Sequence, residues 1–224
     1  MSGKARGRFI TFEGLDGCGK STQLERLAGV LRAEGCEVAV TREPGGTPIG
    51  ERIRAIVLDS ATSGLLSMTE LTLFFAARGQ QLREVILPAL EAGKWVLCDR
   101  FTDSSEAYQG GGRKLGSETV LAMHRVVCEG VQPDLTVLMD SEVSASVARA
   151  RRRNESRLAG EADENRFEQE NRDFFTRVHD AYMTIARREP QRVLLVDARR
   201  EPEVVHREIV AAVRGKFFGK VKTA

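Results

Sequence analysis

Eight consecutive residues, Gly14-Leu15-Asp16-Gly17-Cys18-Gly19-Lys20-Ser21, restrict what this chain can fold into more than any other stretch. They satisfy the pattern G-x-x-x-x-G-K-[ST] at every defined position. Before them, Arg8 to Glu13 carries Phe9, Ile10 and Phe12 and reads as a β-strand. After them, Leu24, Leu27, Ala28 and Leu31 recur at helical spacing from Lys20 to about Glu34, where Gly35 stops the helix. A strand that turns through glycines into a helix points successive backbone N–H groups at one place, reinforced by the helix N-terminus. Such a turn holds phosphate. Residues 14–21, with Thr22 just beyond, are therefore the candidate nucleotide-binding residues. Lys20 can reach the β- and γ-phosphates of ATP, and Ser21 can offer its hydroxyl to Mg²⁺. A glycine-rich turn arising by chance need not have both flanks in place.

The remaining apolar runs fit the same architecture. Glu37 to Thr41, Trp95 to Cys98, Leu135 to Met139 and Val193 to Val196 read as short strands, the last three ending at Asp99, Asp140 and Asp197. Between them lie helical patterns: one through Ile49, Ile53, Ile56 and Val57, and one from about Thr69 towards Ala92 that Pro88 should kink or divide. Two more run from Phe167 to Arg187 and from Glu203 to Phe218. Short buried strands alternating with helices predict an α/β fold with a parallel sheet and right-handed crossovers. At 224 residues, with no repeats, residues 1–224 are expected to form one domain. The polar stretch Asn154 to Asn165 is the least regular, and Gly219 to Ala224 should be frayed.

Composition excludes several classes. Apolar residues are 42% and charged residues 29%, unlike a disordered or membrane protein, and no apolar run is long enough for a membrane helix. The first apolar run ends at Glu13 after about four residues, too few for a secretory signal. A cytoplasmic location with no membrane partner is expected. Basic and acidic residues number 34 and 32, so no overall charge advertises a nucleic-acid binder. Cys18, Cys36, Cys98 and Cys128 form no CxxC and read as reduced thiols, although oxidation of Cys18 would disturb the phosphate loop. No N-K-x-D segment suggests a regulatory GTPase, and a nucleic-acid motor would be larger and more basic. A small-molecule kinase needs a second concave site for its acceptor.

Four segments are candidates for that site. Thr41-Arg42-Glu43-Pro44-Gly45-Gly46 and Asp99-Arg100 follow predicted strands, where ligands of open α/β sheets gather. Asp99 could attract Mg²⁺ through water and Arg100 could grip an acceptor phosphate; a tight turn and a structural ion pair are the plainer readings. Phe74 and Arg78 share a helix face with Gln81 near it. That pair suits a nucleotide, but equally a core Phe74 with Arg78 extended to water. Tyr108-Gln109-Gly110-Gly111-Gly112-Arg113 is either a base-reading segment or a flexible connection. Finally Arg149, Arg151, Arg152, Arg153 and Arg157 crowd one region, either a solvated helix end or a lid over 149–165 that stabilises the transferring phosphoryl group.

Taken together, the phosphate loop, TREPGG at 41–46, FFAAR at 74–78, DRF at 99–101, YQGGGR at 108–113 and RFEQE at 166–170 resemble the bacterial thymidylate kinases. The resemblance covers Phe9 to about Phe175 and implies the three-layer P-loop NTPase fold, a five-stranded parallel sheet flanked by helices. It implies ATP and dTMP as substrates, ADP and dTDP as products, Mg²⁺ as cofactor, a place in dTTP synthesis, and a homodimer. It further implies that Phe74 stacks on thymine, that Arg78 and Gln109 meet its polar edge or the nearby phosphate, and that Arg100 holds the dTMP phosphate. Asp16 would lie near the acceptor sugar and metal, and Tyr108 against the deoxyribose. Glu43, Arg54 and Ser105 are further acceptor-side residues. Cys18 stands where some members carry a catalytic arginine, so the resemblance is to the subtype whose arginine comes from the lid, with Arg149 and Arg153 the candidates beside Lys20 and Asp16. Two departures are Asn165, where relatives often have Asp, and a lid longer by several residues.

Overall fold

Every apolar run read as a strand joins one sheet in the computed structural model, which describes residues 6–155 and 164–219, apart from the side chains of 153–155. The strands are β1 (Phe9–Glu13), β2 (Val38–Arg42), β3 (Trp95–Asp99), β4 (Leu135–Asp140) and β5 (Val193–Asp197). They are all parallel, in the order β2-β3-β1-β4-β5. β1 is central, its Ile10 set against Leu97 on one side and Leu135 on the other. That position buries it on both faces, which is why it reads as a continuous apolar run.

The period-2 alternation of β1 sorts the layers. Ile10 and Phe12 face helices α1 (Lys20–Ala33) and α9 (Pro202–Phe217), meeting Leu24, Leu27, Val205 and Ile209. Phe9 faces the opposite layer, where α3 (Ser67–Gln81) and α6 (Ser117–Val127) contribute Leu71, Phe75 and Val120. A third cluster forms where α8 (Arg172–Arg188) packs Phe174, Val178 and Tyr182 against Tyr108 and Leu138. The shorter helices are α2 (Pro48–Leu58), α4 (Leu87–Glu91), α5 (Thr102–Ser105) and α7 (Val143–Glu155). Among the described residues no helix is long and apolar enough to cross a membrane.

Several local expectations change. Pro88 does not divide its helix: Ser67–Gln81 runs through a π-helical turn, Leu82–Ile86, into α4 with right-handed helical backbone at each junction. The wider turn absorbs the hydrogen bond that proline cannot donate. The helix expected from Phe167 starts at Arg172 instead, where the Asn171 side chain accepts from the Phe174 N–H at 2.9 Å and caps it. Phe167 lies in the preceding turn, its ring edge-on to Tyr108. α7 reaches Glu155, so Asn154 is helical and Arg153 lies in the last helical turn rather than at a loop junction.

The glycines at 110–112 are not a flexible connection. Glu106–Gly112 is a π-helical segment on which α8 packs closely. A Cβ on Gly112 would lie 2.5 Å from the Phe174 ring, so only glycine lets the α8 side chains pack this closely on the segment. Of the irregular segment expected at 154–165, residues 156–163 lie outside the described residues, Arg157 and Gly160 among them. The same holds for residues 220–224 of the expected frayed end.

Candidate active site

At the carboxyl ends of β1, β2 and β3 a cavity of about 620 Å³ opens. Its donor side is the phosphate loop. Gly17 takes φ of 79°, and a Cβ there would meet the Ser146 carbonyl at 2.5 Å, so α7 can close on the loop only over a glycine. Lys20 Nζ donates to the carbonyls of Gly14 at 3.1 Å and Leu15 at 2.9 Å, and lies 3.8 Å from Asp16 Oδ1. Ser21 and Thr22 line the cavity from the first turn of α1. Leu15 and Cys18 turn their side chains into the core, leaving only their backbone to the loop. Burial pushes the Cys18 thiol up, away from the reactive thiolate.

The side expected to take the acceptor is assembled from α3, the turn after β2, and the segment after β3. Glu70, Phe74, Arg78 and Gln81 recur at spacings of four, four and three, so α3 presents them on one face. Phe74 is half-buried at the cavity wall, its ring 6.2 Å from that of Phe167. Arg78 does not extend to water. It is 1% exposed, and its Nε donates to Glu43 Oε2 at 2.7 Å. Its Nη2 donates to the Phe101 carbonyl and to Ser105 Oγ, at 3.1 and 3.0 Å. Burial raises the Glu43 carboxyl against the pull of Arg78. Glu43 and Ser105 thus both line the cavity and hold Arg78. Gln81 anchors the TREPGG turn by donating to Thr41 Oγ1 and the Arg42 carbonyl, both at 2.7 Å. Arg54 donates to the Pro44 carbonyl at 2.8 Å and to Glu164 Oε1 at 2.7 Å.

Asp16 and Arg100 join the two sides. Arg100 Nη2 donates to Asp16 Oδ1 at 2.7 Å, and the Tyr108 hydroxyl donates to Asp16 Oδ2 at 3.2 Å. Burial alone would lower the Arg100 pKa, but Asp16, together with Tyr108, Tyr182 and Asp99, outweighs it and holds the guanidinium well above its ordinary value. Burial raises the Tyr108 phenol, keeping it a neutral donor. Arg100 sits at φ of 74°, a conformation that strains a side-chain-bearing residue by on the order of 1 kcal/mol. Ser21 Oγ donates to Asp99 Oδ2 at 2.7 Å, which places two hard oxygen donors together at the cavity. Arg149 reaches in from α7, its Nε donating to the Gly17 carbonyl at 2.8 Å. Arg151 and Arg152 are exposed. Arg151 bonds the Glu168 carbonyl at 3.0 Å and Arg152 the Ala148 carbonyl at 3.3 Å, so neither is drawn to the phosphate loop.

Sequence reasoning missed the support beneath Arg100. Its Nη1 donates to Ser104 Oγ at 2.9 Å and the Tyr182 hydroxyl at 3.3 Å. Both hydroxyls bond the fully buried Glu13, as does the Phe101 N–H at 2.7 Å. Burial, with Asp103 nearby, raises the Glu13 carboxyl to about 7. Glu13 ends β1 one residue before the loop, and a charged residue closing an apolar strand was the available signal. Tyr182 gave none, because α8 is brought here only by tertiary packing. Glu70, wholly buried beneath Gln109, was also missed.

The family model for thymidylate kinase matches residues 12–209, a span that takes in every cavity residue named above. This chain belongs to the thymidylate kinase family. It is 50% identical over 200 residues to a thymidylate kinase of Alkalilimnicola ehrlichii, covering 89% of each chain. It is 47% identical over 209 residues to that of Trichlorobacter lovleyi, covering 93% of this chain and 98% of the relative. The crystal structure of thymidylate kinase from Ehrlichia chaffeensis superposes with a TM-score of 0.73 at 31% identity, covering 93% of this chain and 99% of that one. The fold is accordingly the expected one, a five-stranded parallel sheet flanked by helices.

Proposed function

We propose roles for these residues in the reaction that family membership gives the chain, transfer of the γ-phosphoryl group of ATP to dTMP with release of ADP and dTDP. The observation that carries the assignment is that one cavity joins a phosphate loop to a base-sized pocket, with Arg100 between them. ATP takes the loop of residues 14–22, where backbone N–H groups and Lys20 face its phosphates. dTMP takes the other half. Phe74 stacks on thymine, Arg78 and Gln109 meet its polar edge, Tyr108 lies against the deoxyribose, and Arg100 grips the phosphate. Asp16, bonded to both Arg100 and Tyr108, holds acceptor phosphate and sugar in register with the loop. Glu43, Ser105 and Arg54 fix the walls of this half.

Negative charge spreads over the transferring group in the transition state, and fixed cations lower that barrier. Lys20 and Arg149 supply them, Arg149 standing over a loop that carries Cys18 where another positive charge could sit. Arg153 stays a candidate from the same helix. The Ser21 hydroxyl and the Asp99 carboxylate, hydrogen-bonded to each other, are the residues that would hold a Mg²⁺, Asp99 through water. The ion supplies charge neutralisation at the phosphates.

A homodimer is supported by apolar side chains on α2, α3 and α6. Ile49 and Ile56, seven apart on one helix face, are 50% and 48% exposed, with Met68 at 48% and Val126 at 78%. Sedimentation at micromolar concentration should give the mass of two chains; one chain's mass would refute it. A cytoplasmic enzyme needing neither nucleic acid nor membrane completes the reading. The reaction itself is tested by offering ATP-Mg²⁺ with dTMP, dCMP, dGMP and UMP. kcat/KM should be far higher for dTMP, and equal use of dCMP would refute the pocket assignment.

A further inference from the structure

We propose that Glu70 is a positioning residue for base selection, locking the Gln109 amide so that its oxygen, not its NH₂, faces the base. The inference rests on thymine occupying the pocket beside Gln109. Glu70 is fully buried on the face of α3 that carries Phe74 and Arg78. Its Oε1 accepts from Gln109 Nε2 at 2.8 Å. Arg113 Nε lies 3.2 Å from both carboxylate oxygens, and Arg166 Nη1 lies 2.7 Å from Oε2. Both carboxylate oxygens thus face donors, and a carboxylate offers only acceptor oxygens in return. A glutamine facing such a group must present its NH₂, so the orientation follows from chemistry rather than from a choice between two near-identical ends. The Gln109 side chain lines the cavity, and no bond to its amide oxygen is found among the described residues.

The second observation is a buried nitrogen. Arg78 Nη1 has no partner among the described residues and belongs to a residue lining the same cavity. A base that reached this nitrogen would meet one fixed donor there and one fixed acceptor at Gln109. The thymine edge is the complement, with N3–H to give and O4 to accept. Cytosine reverses both, setting an N3 lone pair against the Gln109 oxygen and an amino group against Arg78. A buried mismatch of this kind discriminates strongly, because polar groups are left unpaired. Reversing the Gln109 amide would relieve one of the two clashes. Glu70 prevents that reversal.

The test is Glu70→Gln, assayed with dTMP, dUMP and 5-methyl-dCMP. The guanidinium donors decide the outcome: Arg113 and Arg166 claim the new amide oxygen, its NH₂ then faces Gln109, and Gln109 must turn its own oxygen inward. Its NH₂ is left for the base. The kcat/KM ratio of dTMP to 5-methyl-dCMP should fall by about tenfold or more. The ratio of dTMP to dUMP, which share the same edge, should stay unchanged. If Glu70 only braces the fold, all three acceptors decline in step and the proposal is overturned. Equal use of dTMP and 5-methyl-dCMP by the unsubstituted protein would instead remove the pocket assignment, and this proposal with it. Should Glu70→Gln fail to fold, the unsubstituted protein still decides through the NMR signals of the Gln109 side-chain amide. Its NH₂ protons should exchange slowly with solvent, equally with and without dTMP. Loss of that protection when dTMP binds would show the amide turning, and would overturn the lock.

Discussion

The phosphate loop takes its groups from eight consecutive residues, whereas the acceptor pocket gathers Glu43, Arg78, Arg100, Tyr108 and Gln109 from four stretches of chain. In the loop the working parts are backbone N–H groups, set by glycine conformations such as φ of 79° at Gly17. Leu15 and Cys18 can therefore face the core without harming it. In the pocket the working parts are side chains, and each is held by another. Arg78 rests on Glu43, Arg100 on Asp16, Ser104 and Tyr182, and Gln109 on Glu70. A backbone site is specified locally and recognises what all nucleotides share. A side-chain site needs buried charge to orient it, and recognises one base.

Substitutions should affect the two regions differently. The largest effect belongs to the loop. Lys20→Ala should lower kcat by about 10³-fold, with Arg149→Ala nearer 10²-fold, on the scale of other groups that stabilise developing charge. Circular dichroism of both variants should match the parent, since neither side chain supports the core. A folded Lys20→Ala with near-parental kcat would break the loop's place in the mechanism. The pocket should respond through stability as well. Glu43→Ala leaves the Arg78 guanidinium buried without its counter-charge, and should reduce unfolding free energy by about 3 kcal/mol in urea denaturation. A loss below about 1 kcal/mol would mean that water reaches Arg78 after all, and that pocket orientation does not depend on the pair.

The same contrast explains what could be read in advance. The loop, all five strands and the α/β class were legible because each depends on neighbours in sequence: glycine spacing, apolar runs and helical periodicity. For Phe74 and Arg78, helical spacing showed only that they share a face. Burial of Arg78 depends on Glu43, 35 residues earlier, and no local pattern encodes that pairing. Gly112 sits in a segment that read as base-reading or as a flexible connection; the close packing of Phe174 that requires glycine there comes only with α8. Pro88 misled for a related reason, since a π-helical turn accommodates it without altering the run of apolar residues. Tyr182 and Glu13 lie 169 residues apart and meet only in the folded chain.

The most direct test of the division between the two regions is calorimetric titration of Phe74→Ala with dTMP and, separately, with ATP-Mg²⁺. Base–aromatic stacking is worth about 1–3 kcal/mol, so dTMP affinity should fall by about fivefold or more. ATP affinity should stay within about twofold, because the Phe74 ring packs on Phe167 rather than on the groups that face the phosphates, and sites without shared partners act independently. Equal weakening of both ligands, or of ATP alone, would contradict the account.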